Sequence, residues 1–415
     1  TGKQIAAGNG FVEPFLWNYL DDPEGIPHPS HTYWMPMVSL LAALVPGMTG
    51  IDSWWGARVP FLLAAACLPP LTAYLAYSLT MRRSLAIISG LLAVFSGFYL
   101  PFLATKDTFT PYILTGGLFF IILNRQIKKE NNSIYFPLIL GLLAGGMHLS
   151  RADGLLWLII AILVPFIFLQ KQTTLTHNIG AIPGRIGITV LGYLVIMGPW
   201  FVRNAKTFGN ILAPGGIKML WLISYNQIFS FPASEISLAN WIQSGANAII
   251  KARAWSLGLN LATTLAVQGG IILLPFILIG IYQLRREKII PVAVLAWSMT
   301  LVVMTLAFPY AGARGGFFHS GAAVQMVWWV LAPVGLEAAI RGLSKKRGWE
   351  EKKAQSTFKV GMVSMIILIS GAALLMRIPN WGDEAANNQA IHKFLDVVTS
   401  ESSGIAFTVV LFKFR

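Results

Sequence analysis

The sequence predicts an all-α polytopic membrane protein, with about ten transmembrane helices and an interfacial helix in its first outer loop. Of 415 residues, 55% are hydrophobic and only 12% charged, and the mean hydropathy is +0.64. An average soluble domain carries roughly 25% charged residues. Apolar segments close to the roughly 20 residues that cross a hydrocarbon core recur about ten times, separated by short polar breaks. The net charge of +14 also falls almost wholly on one side once those segments are threaded alternately.

The expected spans are 54–78, 85–103, 108–123, 134–149, 154–169, 186–201, 261–282, 289–308, 321–340 and 360–376. Alternate threading puts 17 Lys and Arg with five acids on one face, and the remaining 14 with 12 acids on the other. The positive-inside rule makes the first face cytoplasmic. Because the basic excess is explained by topology, no nucleic-acid partner is needed.

Residues 1–53 then form an outer loop, 54–376 the membrane domain with a further outer loop near 203–259, and 377–415 the start of an outer C-terminal segment that reads as cut short. A chain that starts outside on Thr1, without a start Met or signal peptide, implies an upstream membrane helix. In the first loop, the run from Tyr33 to Gly50 is bounded by Pro and Gly and is too short to span. A helix lying at the interface over 34–45, anchored by Trp34, is expected there. The loop 203–259 holds a second expected amphipathic helix over 241–250. Cys67 is alone, lies in an expected span and forms no internal disulfide.

Polar residues gather on the outer face. Asp21, Asp22, His28 and His31 sit in the first loop, in NYLDDPEGIPHPSHTYWMP. Lys106 and Asp107 follow the second span; His148, Arg151 and Asp153 follow the fourth; Arg203, Asn204 and Lys206 follow the sixth; Arg314 and His319 stand in AGARGGFFHSG. Ionisable groups at membrane depth are costly and usually line a cavity, paired with each other or with a charged ligand. Each has a plainer reading. Arg58, ahead of Val59 and Pro60, either snorkels to headgroups or binds a phosphate. Asp21 and Asp22 stand in a turn-rich DDPEG, and Asp107 can cap the helix after it. His28 and His31 are a weak zinc signal without a third ligand. Trp54 and Trp55 suit an aromatic belt or a sugar platform. Arg314 and His319 resist a plain reading, because RGG places two glycines where backbone must come close.

The order HPSHTYW, a short lying helix, WWGARVPFLL, ATKDTFTPY, LSRADGLLWL and GPWFVRNAKTFGN resembles the GT-C superfamily of polytopic glycosyltransferases. The nearest branch holds the dolichyl-phosphate-mannose-type mannosyltransferases and the aminoarabinose transferases. His28, Pro29, Trp34, Arg58 and Pro60 occupy the places of the family's HPP-x-x-x-W motif and of the basic residue and Pro that open the next span. The resemblance covers roughly residues 8–377. It implies transfer of a sugar from a polyprenyl-phosphate donor to an acceptor on the outer face of a bacterial inner membrane. The family's first-loop acid, usually just after the first membrane helix, falls upstream of Thr1, so its catalytic role passes to Asp21 and Asp22. Asp107 matches the second acidic motif. A divalent cation serves some members of the family and not others.

The chemistry asks for the same residue types. An acceptor hydroxyl or amine loses a proton as it attacks the anomeric carbon, which a carboxylate can take. The leaving lipid phosphate gains negative charge, which Arg314, Arg203, Arg151, Lys106 and Arg58, with His319, are placed to meet. His28, His31, Trp34 and Trp55 are the candidate acceptor or sugar contacts. No Walker loop, dinucleotide fingerprint or nucleophile elbow is present, against an ATP-driven pump or soluble-type hydrolase. Two other classes stay open: a polyprenyl-linked polysaccharide ligase or polymerase, and a lipid-linked sugar flippase or transporter, which is expected to show two similar halves.

Overall fold

The computed structural model describes residues 1–51, 53–129, 133–169, 182–380, 389 and 393. Apart from 389 and 393, the expected outer C-terminal segment beyond 380 therefore lies outside the described residues. Within them the protein is an all-helical membrane bundle whose only strands are a two-residue antiparallel pair.

The first loop opens with a short helix α1 (Gly2–Ala6) and the strands β1 (Val12–Glu13) and β2 (His28–Pro29). The expected lying helix is α2 (Met37–Thr49), 13 residues ending on left-handed Gly50, too short to cross a bilayer. Helices α3 (Val59–Thr80), α4 (Arg83–Phe95), α5 (Leu100–Leu103), α6 (Phe109–Lys129), α7 (Tyr135–Ser150), α8 (Leu155–Leu169) and α9 (Ile182–Phe208) follow. A cap of short turns then contains α10 (Pro214–Lys218) and α11 (Leu238–Gln243). The chain returns through α12 (Ala246–Thr263), α13 (Leu274–Gln283), α14 (Ile289–Val302), the short α15 (Pro309–Ala311) and α16 (Phe317–Gly321), and the long α17 (Gln325–Arg347) and α18 (Glu351–Leu375).

Five stretches are long and apolar enough to cross a membrane: Gly56–Thr80, Ile182–Phe208, Ile289–Ala307, Pro309–Arg347 and Glu351–Leu375. The pair Arg83–Phe95 and Gly97–Leu103, bent by 40°, makes a sixth if taken as one span. The other expected spans are helical too, but shorter or carrying polar ends. The expected span 261–282 is corrected: Gly269, Gly270 and left-handed Ile271 (φ 63) break it after a π turn at Thr264–Gln268. The expected helix over 241–250 is corrected as well, since Gly245 (φ 85) ends α11 and starts α12 at Ala246.

Burial follows the composition. The core holds Phe119, Phe120, Trp157, Trp329 and Tyr99, all at most 2% exposed, and α17 is buried over nearly its whole first half. Close helix approach is set by small residues. A Cβ added at Gly335 of α17 meets the Phe276 carbonyl at 1.8 Å, and one at Gly280 of α13 meets the Leu331 carbonyl at 2.2 Å. Without a hydrophobic drive between helices in lipid, such backbone contact is what holds membrane helices together.

Charges also pair within the bundle. Glu337, 2% exposed, pairs with both Arg82 and Lys359, and Arg341 lies 3.4 Å from Glu351. All five were assigned to one face by alternate threading, and none of them lines the cavity described below.

Replacing Gly335 by Val should force α13 and α17 apart and sharply lower the thermal unfolding temperature in detergent. Gly342→Ala, where nothing lies within 4 Å, should instead leave it unchanged or raise stability by about 0.5–1 kcal/mol.

Candidate active site

The polar residues of five separate segments open onto one cavity of about 690 Å³. The first loop contributes Glu13, His31 and Trp34; the turn before α6 contributes Lys106 and Asp107; the α7–α8 junction contributes His148, Arg151 and Asp153. Tyr225 comes from the cap, and Arg314 and His319 from the stretch before α17. The apolar side chains of Leu155, Ile159, Val303, Met304 and Phe308 line the same cavity. A pocket that combines charged and apolar lining suits a ligand with an anionic head and a hydrocarbon tail.

Arg151 is the best-anchored of its cations. Its Nε donates to Asp153 Oδ1 at 2.9 Å, and its Nη2 to Ser320 Oγ at 3.1 Å and the Gly316 carbonyl at 3.3 Å. Asp153 also accepts from Tyr112 Oη at 3.2 Å. The segment after α15 is a π turn, Gly312–Gly316, in which Gly315 takes φ 104 and Arg314 leaves helical geometry. A Cβ at Gly316 would stand 2.6 Å from the Ala311 carbonyl, so the two glycines of RGG are both needed. The kink sends Arg314 toward the cap, where its guanidinium lies 5.5 Å from the Tyr225 ring.

Asp107 and His319 form the second polar node. Asp107 Oδ1 accepts from the Thr108 amide and lies 3.6 Å from His319 Nδ1, which Thr108 Oγ1 approaches at 2.9 Å. The His319 ring stacks on Phe109 at 3.9 Å. Burial raises Asp107's pKa, partly offset by the Thr108 amide and by Arg151. Burial also lowers Lys106, helped by neighbouring Arg58.

The first loop supplies a carboxylate that sequence reading missed. Glu13 is 5% exposed, and burial pushes its pKa up from 4.5 to about 7, with Asp21 adding to the rise and the Thr1 amino group opposing it. Its signal was there: a lone acid in FVEPF, between apolar residues, is an acid set up to be buried. His31, at φ 65, is held between Ser30 Oγ (2.7 Å) and Ser39 Oγ (3.1 Å), and burial lowers its pKa to about 3, so it is a neutral imidazole. Trp34, 52% exposed, stacks on Trp17 at 5.5 Å with Tyr33 edge-on at 4.5 Å. Tyr33 and Tyr225, also unforeseen, are both raised by burial.

Six expected site residues stand elsewhere. Asp21 pairs with His28 Nε2 at 3.1 Å, and neither lines the cavity. Asp22, at φ 48, accepts from the Ala233 amide and ties the first loop to the cap. Arg203 donates to the Ser30 carbonyl at 2.8 Å and packs on Trp200 and Phe208, so its charge is met by backbone oxygen. Arg58 donates to the Ala104 carbonyl at 2.9 Å and lies over Trp54 and Trp55. Trp55 is 66% exposed, away from the cavity. Among the described residues, no three His, Cys, Asp or Glu side chains are gathered to hold a metal ion.

No protein-family pattern and no curated protein matches the sequence. Among solved structures, the chain is similar to the archaeal oligosaccharyltransferase AglB from Archaeoglobus fulgidus in complex with an inhibitory peptide and a dolichol-phosphate. That match has 14% identity and a TM-score of 0.49, over 89% of this chain and 50% of that one. The Archaeoglobus fulgidus oligosaccharyltransferase tethered to an acceptor peptide matches at 15% identity and a TM-score of 0.46, over 90% and 50%. The chain thus spans about half the length of these relatives. At these scores the likeness fixes neither activity nor substrates.

Glu13 gives a pH signature. Because its folded pKa lies above its unfolded value, the stability it contributes is complete below about pH 4.5 and is lost as pH rises to about 7. Thermal unfolding of the wild type should therefore lose more between pH 5 and 7 than that of Glu13→Gln, with parallel curves above about pH 8.

Proposed function

We propose that this protein is a membrane glycosyltransferase of the GT-C type. It moves a sugar from a polyprenyl-phosphate-linked donor to an acceptor on the outer side of a bacterial inner membrane. The observation that carries the reading is the joining, in one cavity, of the Glu13 and Asp107 carboxylates with Arg151, Arg314 and Lys106 and with apolar side chains such as Leu155 and Met304. Sugar transfer from a lipid phosphate needs these groups. A base takes the acceptor proton, fixed cations meet the charge growing on the leaving phosphate, and an apolar groove holds the prenyl tail.

In this reading Glu13 is the base, because its buried carboxylate holds a proton more tightly than an exposed one and so removes one more readily from a neutral acceptor. Asp107, fixed by Thr108, orients the acceptor. Arg314 binds the phosphate as a fork, with Lys106 as a point charge. Arg151, already committed to Asp153, contributes a fixed field. Trp34 offers a ring face to a sugar. Asp22, Arg203, Arg58 and Trp55 act through the scaffold or the membrane surface.

The test is transfer in proteoliposomes from a polyprenyl-phosphate hexose. Arg314→Ala should raise KM for the lipid donor by roughly tenfold to a hundredfold, the loss of one charge-assisted contact worth about 1.5–3 kcal/mol. Glu13→Gln should cut kcat by about 10²–10⁴ with KM little changed. Asp107→Asn should lower kcat less than Glu13→Gln, with lipid binding intact. Movement of intact lipid across the bilayer, with no sugar transfer by the wild type, would establish the flippase reading instead.

A further inference from the structure

The proposed chemistry leaves the segment carrying Asp21 and His28 without a task, although its side chains are built like a working site. The β1–β2 pairing sets Glu13 directly opposite His28. Residues facing each other across antiparallel strands project to the same side, with Cβ atoms about 5 Å apart. Glu13 reaches the cavity; His28 stands beside it and turns to Asp21, Nε2 to Oδ2 at 3.1 Å. Glu13 and His28 are 5% and 7% exposed. Asp21 Oδ1 and His28 Nδ1 are both buried with no hydrogen-bond partner among the described residues.

That last fact separates this pair from a structural one. The Arg151–Asp153 pair has its remaining positions filled by Ser320, Gly316 and Tyr112, as buried charge in a scaffold should. The Asp21–His28 pair keeps an open acceptor on the carboxylate and an open ring nitrogen on the imidazole, at the back of the one carboxylate assigned to remove a proton.

We propose that Asp21 and His28 are positioning residues that set the proton affinity of Glu13, an inference that rests on reading Glu13 as the base. An ionised Asp21 resists a second negative charge beside it and so strengthens Glu13 as a proton acceptor. His28, 3.1 Å from Asp21 Oδ2, fixes where that charge stands. In the transfer step the acceptor O–H proton goes to the Glu13 carboxylate. The acceptor oxygen forms the new bond to the anomeric carbon, and the sugar–phosphate bond breaks with its electron pair on the phosphate. No bond of Asp21 or His28 changes; they fix how strongly Glu13 holds what it has taken. Other charges also bear on this group: the Thr1 amino group acts on Glu13 and Lys218 on Asp21, while Lys106, Asp107, Arg151, Asp153 and Arg314 line the same cavity as Glu13.

The experiment needs no substrate. Infrared spectra of the full chain in lipid nanodiscs, titrated over pH and differenced against Glu13→Gln, isolate the Glu13 carboxyl band and its midpoint. Asp21→Asn removes the neighbouring charge and should lower that midpoint by about one pH unit. His28→Gln releases the Asp21 carboxylate from its fixed place and should lower the midpoint too, by less. Asp21→Glu, which keeps the charge, should leave it in place and controls for a misfolded loop. A rise with either substitution, or no shift with the near-ultraviolet dichroism unchanged, overturns the proposal. Failure of the base reading shows separately, as Glu13→Gln transferring hexose from a polyprenyl phosphate at the wild-type rate.

Discussion

A charge inside a helix bundle has no water to answer it, and the arrangement around Arg151 follows from that constraint. The guanidinium sits where α7 ends and α8 begins, and all its bonds run to two places: Asp153 in the same junction, and Gly316 and Ser320 across the cavity. It therefore ties the middle of the chain to the kinked stretch before α17. Leaving either side unpaired would strand a charge at a cost of several kcal/mol. The position of Arg314, the approach of His319 to Asp107 and the width of the pocket all depend on that tie. The same rule operates at the far end of the bundle, where Glu337 answers Arg82 and Lys359.

The cap is organised by a different means. Leu20 of the first loop packs with Met219, Leu222, Ile228 and Ile236 of the segment between α9 and α12, forming a small apolar core apart from the main one. Asp22 and Arg203 stitch its edges to backbone groups. Two segments about 200 residues apart in sequence thus roof the cavity together, and Tyr225, Tyr33 and Trp34 reach it from that roof. Cations that looked alike in sequence end in two roles. Arg203 and Arg58 meet carbonyl oxygens, whereas Arg314 and Lys106 face open space.

Helix content and the gathering of Asp107, Arg151, Arg314 and His319 were legible because each leaves a local mark. Hydrophobic run length marks the helices, and an ionisable residue at a span end marks the cavity. What was not legible depended on long-range pairing. Asp21 and Asp22 look like catalytic acids beside an aromatic loop, but a neighbouring imidazole and a distant amide, Ala233 N, claim them. Glu13 looked unremarked because its partner strand is only two residues long, too short to show any alternation. The break at 269–273 hid inside an apolar run, since glycines and isoleucine do not interrupt hydropathy. Arg203 carries the same letters as a ligand-binding arginine, and only its carbonyl partners tell them apart.

The π turns at Val303–Ala307 and Gly312–Gly316 each wind one more residue into a turn than an α-helix does, which rotates everything beyond them by about 100°. The residues from Phe317 onward are thus read in a shifted frame relative to those before Val303. A single inserted residue in such a stretch need not be absorbed by a loop. It can be carried as a bulge that turns a polar side chain from lipid toward the interior while the apolar stripes on either side keep their partners. The bundle thereby obtains an inward-facing histidine from a segment whose composition is almost wholly that of a membrane span, and its ligand wall can drift by one residue at a time without the packing around it having to be rebuilt.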